Sequence, residues 1–343
     1  MKVPLRLSIT DLKAPYKKGL LFSILILLIT AWFSSGYNQS DEHFQLYEFA
    51  GLKLGINQEH DLAWEYDKQM RPTLQVGMIV LAQRAFHFIG VNNPFLIAFF
   101  FRILSAIFSF GVTLFLFLLW EKKFHTEKLK WWFFLCSFFL WFLFYNGVRF
   151  NSEMWSGHSF VLALCLFWYW KTPSKVQYLE LGLLVGLSFL FRYQAAFMIA
   201  GWGLWLIFIH KEKWNKLIFF TLGGLLMVGL GVFIDRWFYG EWTLSLWNYF
   251  EQNILLDKAS YFGVDPWWHY FPALFIKGIP PFSLIYLFSI CIYITKRPKS
   301  VITWISLLFI AIHLFIAHKE LRFFLSFITF STYSNCDKLT MGS

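Results

Sequence analysis

The chain has 343 residues, of which 58% are apolar and only 15% are charged. Its mean hydropathy is positive, which lies outside the range of soluble globular domains. Composition therefore excludes a soluble enzyme or binding module and predicts a protein that crosses a membrane several times. The formal charge of +10 lies mostly in short links between apolar segments, so it indicates membrane orientation and not a nucleic-acid partner.

Apolar stretches long enough to cross the hydrocarbon of a bilayer recur along the whole chain. About nine are predicted, at 19–35, 95–119, 132–148, 153–170, 178–193, 194–209, 216–234, 279–294 and 301–317. Residues 178–209 also fit a single hairpin that turns at Arg192-Tyr193-Gln194, and residues 1–33 also resemble a cleaved signal sequence. The predicted fold is an all-α integral membrane bundle.

Lys and Arg dominate alternate links between these segments. The basic links are 1–18, 120–131, 171–177, 210–216 and 295–300. Because basic links stay on the cytosolic side, the two long loops 36–94 and 235–277 are predicted to lie on the other side. Residues 73–89 would invert this topology if they formed a span. Their polar side chains favour a helix that lies in the membrane interface. The roughly helical spacing of apolar residues in 43–54 predicts a second helix of this kind.

The end of the sequence differs from the rest. We expect one multi-span membrane domain over residues 1–330, followed by a polar tail at 331–343. Only the short stretch Phe323 to Phe330 is apolar after Arg322, and it is too short to span a bilayer. This pattern is interpreted as a truncated or frame-shifted product. The four cysteines, three of them in apolar segments, predict neither a disulfide framework nor a zinc site.

Charged residues unusual for a membrane protein collect on the predicted outer side. Asp41 and Glu42 lie side by side where the first apolar stretch ends, a costly position unless they perform chemistry or are paired. The further candidates for substrate binding are Glu65, Arg71, Arg149, Glu153, Arg192, Asp265, His269, His318, Lys319 and Arg322. Acidic and basic residues that come from separate loops and meet on one face are typical of a water-accessible active site.

Each of these residues also has a simpler interpretation. Asp41 fits a solvated helix cap, and Glu153 fits a residue that favours a helix N-terminus. Arg149 and Arg192 fit side chains that reach from a span end to the membrane interface. The histidines His43, His60 and His269 are too far apart in the sequence to indicate a metal site. Taken one at a time, none of these residues identifies a function.

Several short blocks along the chain resemble the signature blocks of the glycosyltransferase family 22 mannosyltransferases, which use polyprenyl-phosphate mannose and have bacterial relatives. The blocks are Ser40-Asp41-Glu42-His43-Phe44-Gln45, Trp64-Glu65-Tyr66 with Arg71-Pro72, Phe238-Tyr239-Gly240, the run Tyr261 to Phe271, and His318-Lys319-Glu320-Leu321-Arg322-Phe323. They occur in the family's order. The resemblance implies a GT-C helical bundle with its active site on the non-cytosolic face and an acidic pair in the first outer loop.

The resemblance further implies transfer of mannose or a similar hexose from a polyprenyl-phosphate donor to a glycan or glycolipid acceptor. Asp41 is then predicted to be the general base, with Glu42 as its helper or as the alternate base. Lys319, Arg322 and Arg192 are candidates for stabilising the departing phosphate. One base without a second carboxylate nucleophile predicts inversion of the anomeric centre. This scheme needs neither a metal nor another cofactor, and the sequence contains no Gly-rich phosphate loop.

Two other hypotheses stay open from the sequence. A multi-span lipid or sugar transporter would favour polar residues within spans, whereas Arg102 is the only clear charge within one. An inactive relic of the enzyme is the other hypothesis, because of the polar tail. The compact loops favour a bacterial inner membrane over the endoplasmic reticulum.

Overall fold

The computed structural model describes residues 7–37, 39–261, 263–277, 279–280, 282–316 and 319. The helices are α1 (Ala14–Phe33), α2 (Ser40–Glu42), α3 (Glu48–Lys53), α4 (Leu74–Phe88), α5 (Pro94–Trp120), α6 (Glu127–Phe138), α7 (Trp141–Gly147), α8 (Ser152–Trp170), α9 (Lys175–Phe191), α10 (Ala195–Phe208), α11 (Trp214–Tyr239), α12 (Ser245–Phe250), α13 (Lys258–Tyr261), α14 (Tyr270–Lys277), α15 (Phe282–Lys296) and α16 (Val301–Phe315). No β-strand occurs in these ranges. The prediction of an all-α fold is confirmed.

Each predicted apolar segment is largely helical in the structure. Among the described residues, four helical stretches are long and apolar enough to cross a membrane: Ala14–Phe33, Pro94–Lys123, Glu127–Gly147 and Trp214–Tyr239. Shorter apolar helices cover Ala195–Phe208, Leu287–Lys296 and Val301–Phe315. The chain is therefore a multi-span helical membrane protein. The predicted hairpin turn at residues 192–194 joins α9 to α10.

Small residues allow the closest helix contacts of the bundle. Helix α9 packs along α11, and a Cβ added at Gly182 would collide with the carbonyl oxygen of Phe220. Gly223 faces the backbone of α9 in the same way. On the other side of the bundle, Gly201 of α10 lies against the backbone of α16 at Ile305. Such contacts between backbones are typical of helices packed in membranes, where glycine replaces bulky core residues.

The first outer loop is folded onto the bundle by its own apolar core. Phe49 of α3 and Phe238 of α11 are fully buried and stack with their ring centroids 5.7 Å apart. Val76 and Ile79 of α4 belong to the same buried cluster. Both segments expected to be helices in this loop are helical, whereas their location in the membrane interface stays a prediction. The cluster fixes the loop that carries the acidic pair.

The two ends of the bundle differ in charge. At one end the links between helices hold cations, with Lys13 bound to Glu127 at 2.7 Å and Lys130 bound to Glu121 at 3.0 Å. The opposite end contains the end of α1, the start of α8 and the end of α9, because successive helices run in alternate directions. Buried acids and arginines from these ends meet there.

Candidate active site

The acidic pair lies on a single turn of helix directly after α1. Gln39 is extended, and Asp41 and Glu42 occupy the first turn of α2, which continues into a π-helical segment at His43–Tyr47. Acids are favoured in this position by the partial positive charge of a helix N-terminus. The Glu42 side chain is 10% exposed and the Asp41 side chain 17% exposed. Asp41 is therefore the more accessible of the two carboxylates.

Glu42 is held by two side chains from the link between α7 and α8. Its carboxylate lies 3.4 Å from the Arg149 guanidinium, and Asn151 donates a hydrogen bond to it at 3.3 Å. Arg149 also donates to the carbonyl of Gly36 at 3.1 Å and lies 4.7 Å from the centroid of the Tyr145 ring. A buried guanidinium with these partners is a structural clamp on Glu42. The simpler interpretation of Arg149 as a membrane-interface anchor is wrong, because its side chain is only 7% exposed.

Arg192 joins Asp41 to a second acid. Its guanidinium lies 3.3 Å from the Glu153 carboxylate and 4.0 Å from the Asp41 carboxylate. Glu153 is in the first turn of α8, which begins where Asn151 accepts a hydrogen bond from the Met154 amide. Arg192 follows the last residue of α9 and is buried. Its interpretation as an interface anchor is therefore also wrong.

The fourth acid of the cluster pairs with Arg71 in the first outer loop. Glu65 lies 3.0 Å from the Arg71 guanidinium and accepts a hydrogen bond from Gln45 at 3.1 Å. Burial opposes the charge of Arg71, but the carboxylates of Glu65 and Asp41 outweigh it and raise the pKa of Arg71 above its ordinary value. Arg71 thus stays charged, within electrostatic reach of Asp41.

A buried network behind the acids went unassigned in the sequence. Asp235 near the end of α11 accepts hydrogen bonds from the amide and hydroxyl of Thr73, at 2.9 and 2.7 Å, and from the hydroxyl of Ser245. Ser245 is also hydrogen-bonded to Tyr193 at 2.6 Å, and the Tyr239 hydroxyl donates to the Arg71 carbonyl at 3.0 Å. The network thus supports residues adjacent to Arg71 and Arg192. Among the missed residues, only Asp235 carried a signal, as an acid at a span end.

The second outer loop contributes less to this cluster than expected. Asp265 and His269 pair with each other at 3.2 Å and are partly exposed, and their described contacts do not include the acidic pair. Lys319 donates to the Leu314 carbonyl at 3.2 Å, and its ammonium lies 5.8 Å from the Tyr270 ring centroid. Burial lowers the pKa of Lys319, which Asp265 partly opposes. His318 and Arg322 lie outside the described residues.

The arrangement gives one face four carboxylates and three guanidinium groups. The residues are Asp41, Glu42, Glu65, Glu153, Arg71, Arg149 and Arg192. A carboxylate that is partly accessible can accept a proton from a hydroxyl group, and nearby guanidinium groups can bind phosphate oxygens. In the described ranges, no three His, Cys, Asp or Glu side chains are placed to hold a metal ion together.

Fold and site define a helical membrane protein with a charged site at one end of its bundle. The chain belongs to the Alg9-like mannosyltransferase family, whose model matches residues 20–340. This confirms the family suggested by the sequence blocks. No solved structure matches the chain significantly.

Several curated proteins are similar over most of the chain. It is 25% identical to GPI alpha-1,2-mannosyltransferase 3 of Bos taurus over 82% of this chain and 51% of that protein. It is 27% identical to the protein of the same name from Xenopus laevis, over 82% and 52%. Mannosyltransferase APTG1 of Arabidopsis thaliana is 24% identical, over 94% and 59%. The chain thus spans about half the length of these relatives. All three are eukaryotic and give no support to the expected bacterial origin.

Proposed function

We propose that the protein is a membrane-embedded mannosyltransferase that transfers mannose, or a similar hexose, from a polyprenyl-phosphate donor to a glycan or glycolipid acceptor. Membership of the Alg9-like mannosyltransferase family supports the sugar, and the names of the GPI mannosyltransferase relatives support a glycolipid acceptor. The site faces the non-cytosolic side in this proposal, because the basic links lie at the opposite end of the bundle.

One observation supports the mechanism most directly. Asp41 is the most exposed carboxylate of the cluster and lies at the start of α2, with the Arg192 guanidinium 4.0 Å away. In our proposal its carboxylate accepts the proton of the acceptor hydroxyl as that oxygen attacks the anomeric carbon. Glu42, which Arg149 and Asn151 hold, supports the helix turn and does not take the proton.

The departing phosphate needs fixed positive charge on the other side of the sugar. Arg192 is the candidate nearest to Asp41, and Arg71 is within electrostatic reach of the same carboxylate. Guanidinium groups bind phosphate oxygens in two-pronged contacts, which favours them over ammonium groups in this role. Lys319 and Arg322 stay further candidates for this role from the sequence. The step is a single displacement and inverts the anomeric carbon, with neither a metal nor another cofactor taking part.

The test is transfer by the purified protein from synthetic polyprenyl-phosphate mannose to a glycolipid acceptor. Asp41→Asn should lower kcat by about 10²–10⁴-fold, the usual contribution of a general base. Asp67→Asn is the matched control, because Asp67 is an exposed acid of the same loop. Undiminished transfer by Asp41→Asn would remove the base assignment, and a product with retained anomeric configuration would remove the single displacement.

The same assay distinguishes a transporter from a transferase. A transporter would move the labelled polyprenyl-phosphate sugar across proteoliposomes without forming a glycosidic bond. The buried charges of the described residues lie at helix ends or in loops and not in the middle of the spans, which favours chemistry at a membrane surface. Flux without a glycosylated product would reject the proposed function.

A further inference from the structure

A cavity lies at the end of the bundle opposite the acidic cluster and takes no part in the proposed sugar transfer. Its volume is about 540 Å³, within the range of small-molecule sites. It lies between the ends of α5, α8 and α10 and the turn that joins α15 to α16. We propose that this cavity binds the phosphate headgroup of an anionic phospholipid from the adjacent leaflet.

The first argument is charge. Lys296, Arg297 and Lys299 line the cavity and come from a single turn, and no acidic residue lines it among the described residues. All three side chains are exposed at its mouth. A phosphate diester carries one negative charge and several oxygen acceptors, so it suits a site of this kind. Each basic residue near an anionic membrane surface strengthens binding by roughly fivefold.

The second argument is that the turn is fixed and its carbonyl oxygens are occupied. Thr303 donates to the carbonyl of Arg297 at 2.7 Å, and Trp304 donates to that of Pro298 at 3.1 Å. Trp205 donates to the carbonyl of Lys299 at 2.8 Å. The partial negative charges of the turn are thus paired with donors, and the cationic side chains define the potential at the cavity mouth.

The third argument concerns the start of α16. Ser300 caps this helix by accepting a hydrogen bond from the Ile302 amide at 3.3 Å, and it is hydrogen-bonded to the Tyr293 hydroxyl at 2.8 Å. Ser300, Val301 and Ile302 all line the cavity. The partial positive charge at the N-terminus of this 15-residue helix therefore acts on the same space as the three cations.

Aromatic rings on the remaining wall indicate a lipid and not a free anion. Four aromatic side chains line the cavity: Trp120, Phe167, Trp168 and Trp205. The rings of Trp120 and Trp168 contact each other edge to face, with their centroids 5.3 Å apart. Tryptophan is enriched at the headgroup level of membranes, where one edge of the ring contacts lipid and the other contacts polar groups. An apolar wall beside the cations gives room for the glycerol and first acyl carbons of a phospholipid.

The test measures phosphatidylglycerol bound to the full chain in detergent by native mass spectrometry, against phosphatidylcholine and inorganic phosphate. A variant with Lys296→Gln, Arg297→Gln and Lys299→Gln should bind phosphatidylglycerol at least tenfold more weakly than the wild type. The matched control, with Lys128→Gln, Lys171→Gln and Lys211→Gln, removes the same charge from exposed lysines that do not line the cavity. It should bind like the wild type.

Three results would overturn the proposal. Equal losses in both triple variants would mean that overall charge, and not the cavity, attracts the lipid. Undiminished phosphatidylglycerol binding in the cavity variant would show that the cavity takes no part. Saturation by inorganic phosphate alone would assign the site to a free anion. Unchanged thermal unfolding of the cavity variant in a neutral detergent shows that it is folded.

Discussion

Replacing Asp235 by asparagine tests whether the buried network behind the acids holds the site together. Asp235 accepts three hydrogen bonds, two from Thr73 and one from Ser245. Hydrogen bonds to a charged group contribute about 1.5–3 kcal/mol and neutral ones about 1 kcal/mol. An asparagine keeps one acceptor oxygen, but its NH2 group only donates and cannot accept the hydrogen bond of a hydroxyl that donates to Asp235 in the wild type. We expect Asp235→Asn to lower the free energy of unfolding by about 2–4 kcal/mol in total.

The assay is thermal unfolding in detergent, together with transfer activity at saturating donor and acceptor. Asp67→Asn, an exposed acid of the first outer loop, provides the matched control and should unfold like the wild type. Because Tyr193 directly follows Arg192 and Thr73 lies two residues after Arg71, transfer should fall more in Asp235→Asn than loss of folded protein explains. An unfolding temperature within about one degree of that of the wild type would refute the reasoning, because a loss of this size should lower it by several degrees.

A double-mutant cycle then tests whether the network acts as one unit. Ser245→Ala removes the hydroxyl that links Tyr193 to Asp235. If the bonds form one network, the combined variant should lose less stability than the two single variants added together, by about 0.5–3 kcal/mol. Simple additivity would mean that Asp235 and Ser245 stabilise the protein independently.

Three further predictions concern packing, charge and pH. Gly182→Val should prevent correct folding, since its Cβ would collide with the Phe220 carbonyl, whereas Gly203→Val meets open space and should fold normally in a size-exclusion assay. Arg149→Gln should reduce stability by about 3–5 kcal/mol, the cost of breaking a buried ion pair, and normal unfolding would contradict it. Burial and the hydrogen bond to Glu59 raise the pKa of Tyr66 from 10.0 to about 12. Its stabilising contribution is therefore present below pH 10.0 and lost as pH rises toward about 12, a loss that Tyr66→Phe should abolish in unfolding measured against pH.

The fold was predictable because a membrane limits what the chain can do. Every buried backbone group in a bilayer needs a hydrogen bond, so long apolar stretches become helices and their limits can be found from composition. The sequence did not predict the break in the segment 132–148, where α6 ends at Phe138 and α7 begins at Trp141. Neither proline nor glycine marks this break, so composition contained no signal for it.

The partners within the site were less predictable than its members. Glu153 and Arg192 were both candidates, but only the packing of α8 beside α9 brings them within 3.3 Å. Asn151 was missed as a partner of Glu42 because a polar residue before a helix usually only caps it. Here Asn151 both caps α8 and donates a hydrogen bond to Glu42. Contacts between residues more than a hundred positions apart depend on helix packing, and single-residue chemistry does not encode it.

The geometry also explains why one of two adjacent acids is proposed as the base. Neighbouring residues on a helix point about 100° apart, and accordingly Asp41 pairs with Arg192 whereas Glu42 pairs with Arg149. At an effective dielectric constant of about 20, an ion pair at 4.0 Å is weaker than one at 3.0 Å by roughly 1 kcal/mol. The ion pair of Asp41 with Arg192 is thus the longest of the four in the cluster, and the Asp41 side chain is the most exposed of the four carboxylates, which favours it over Glu42 as the base that meets an acceptor hydroxyl.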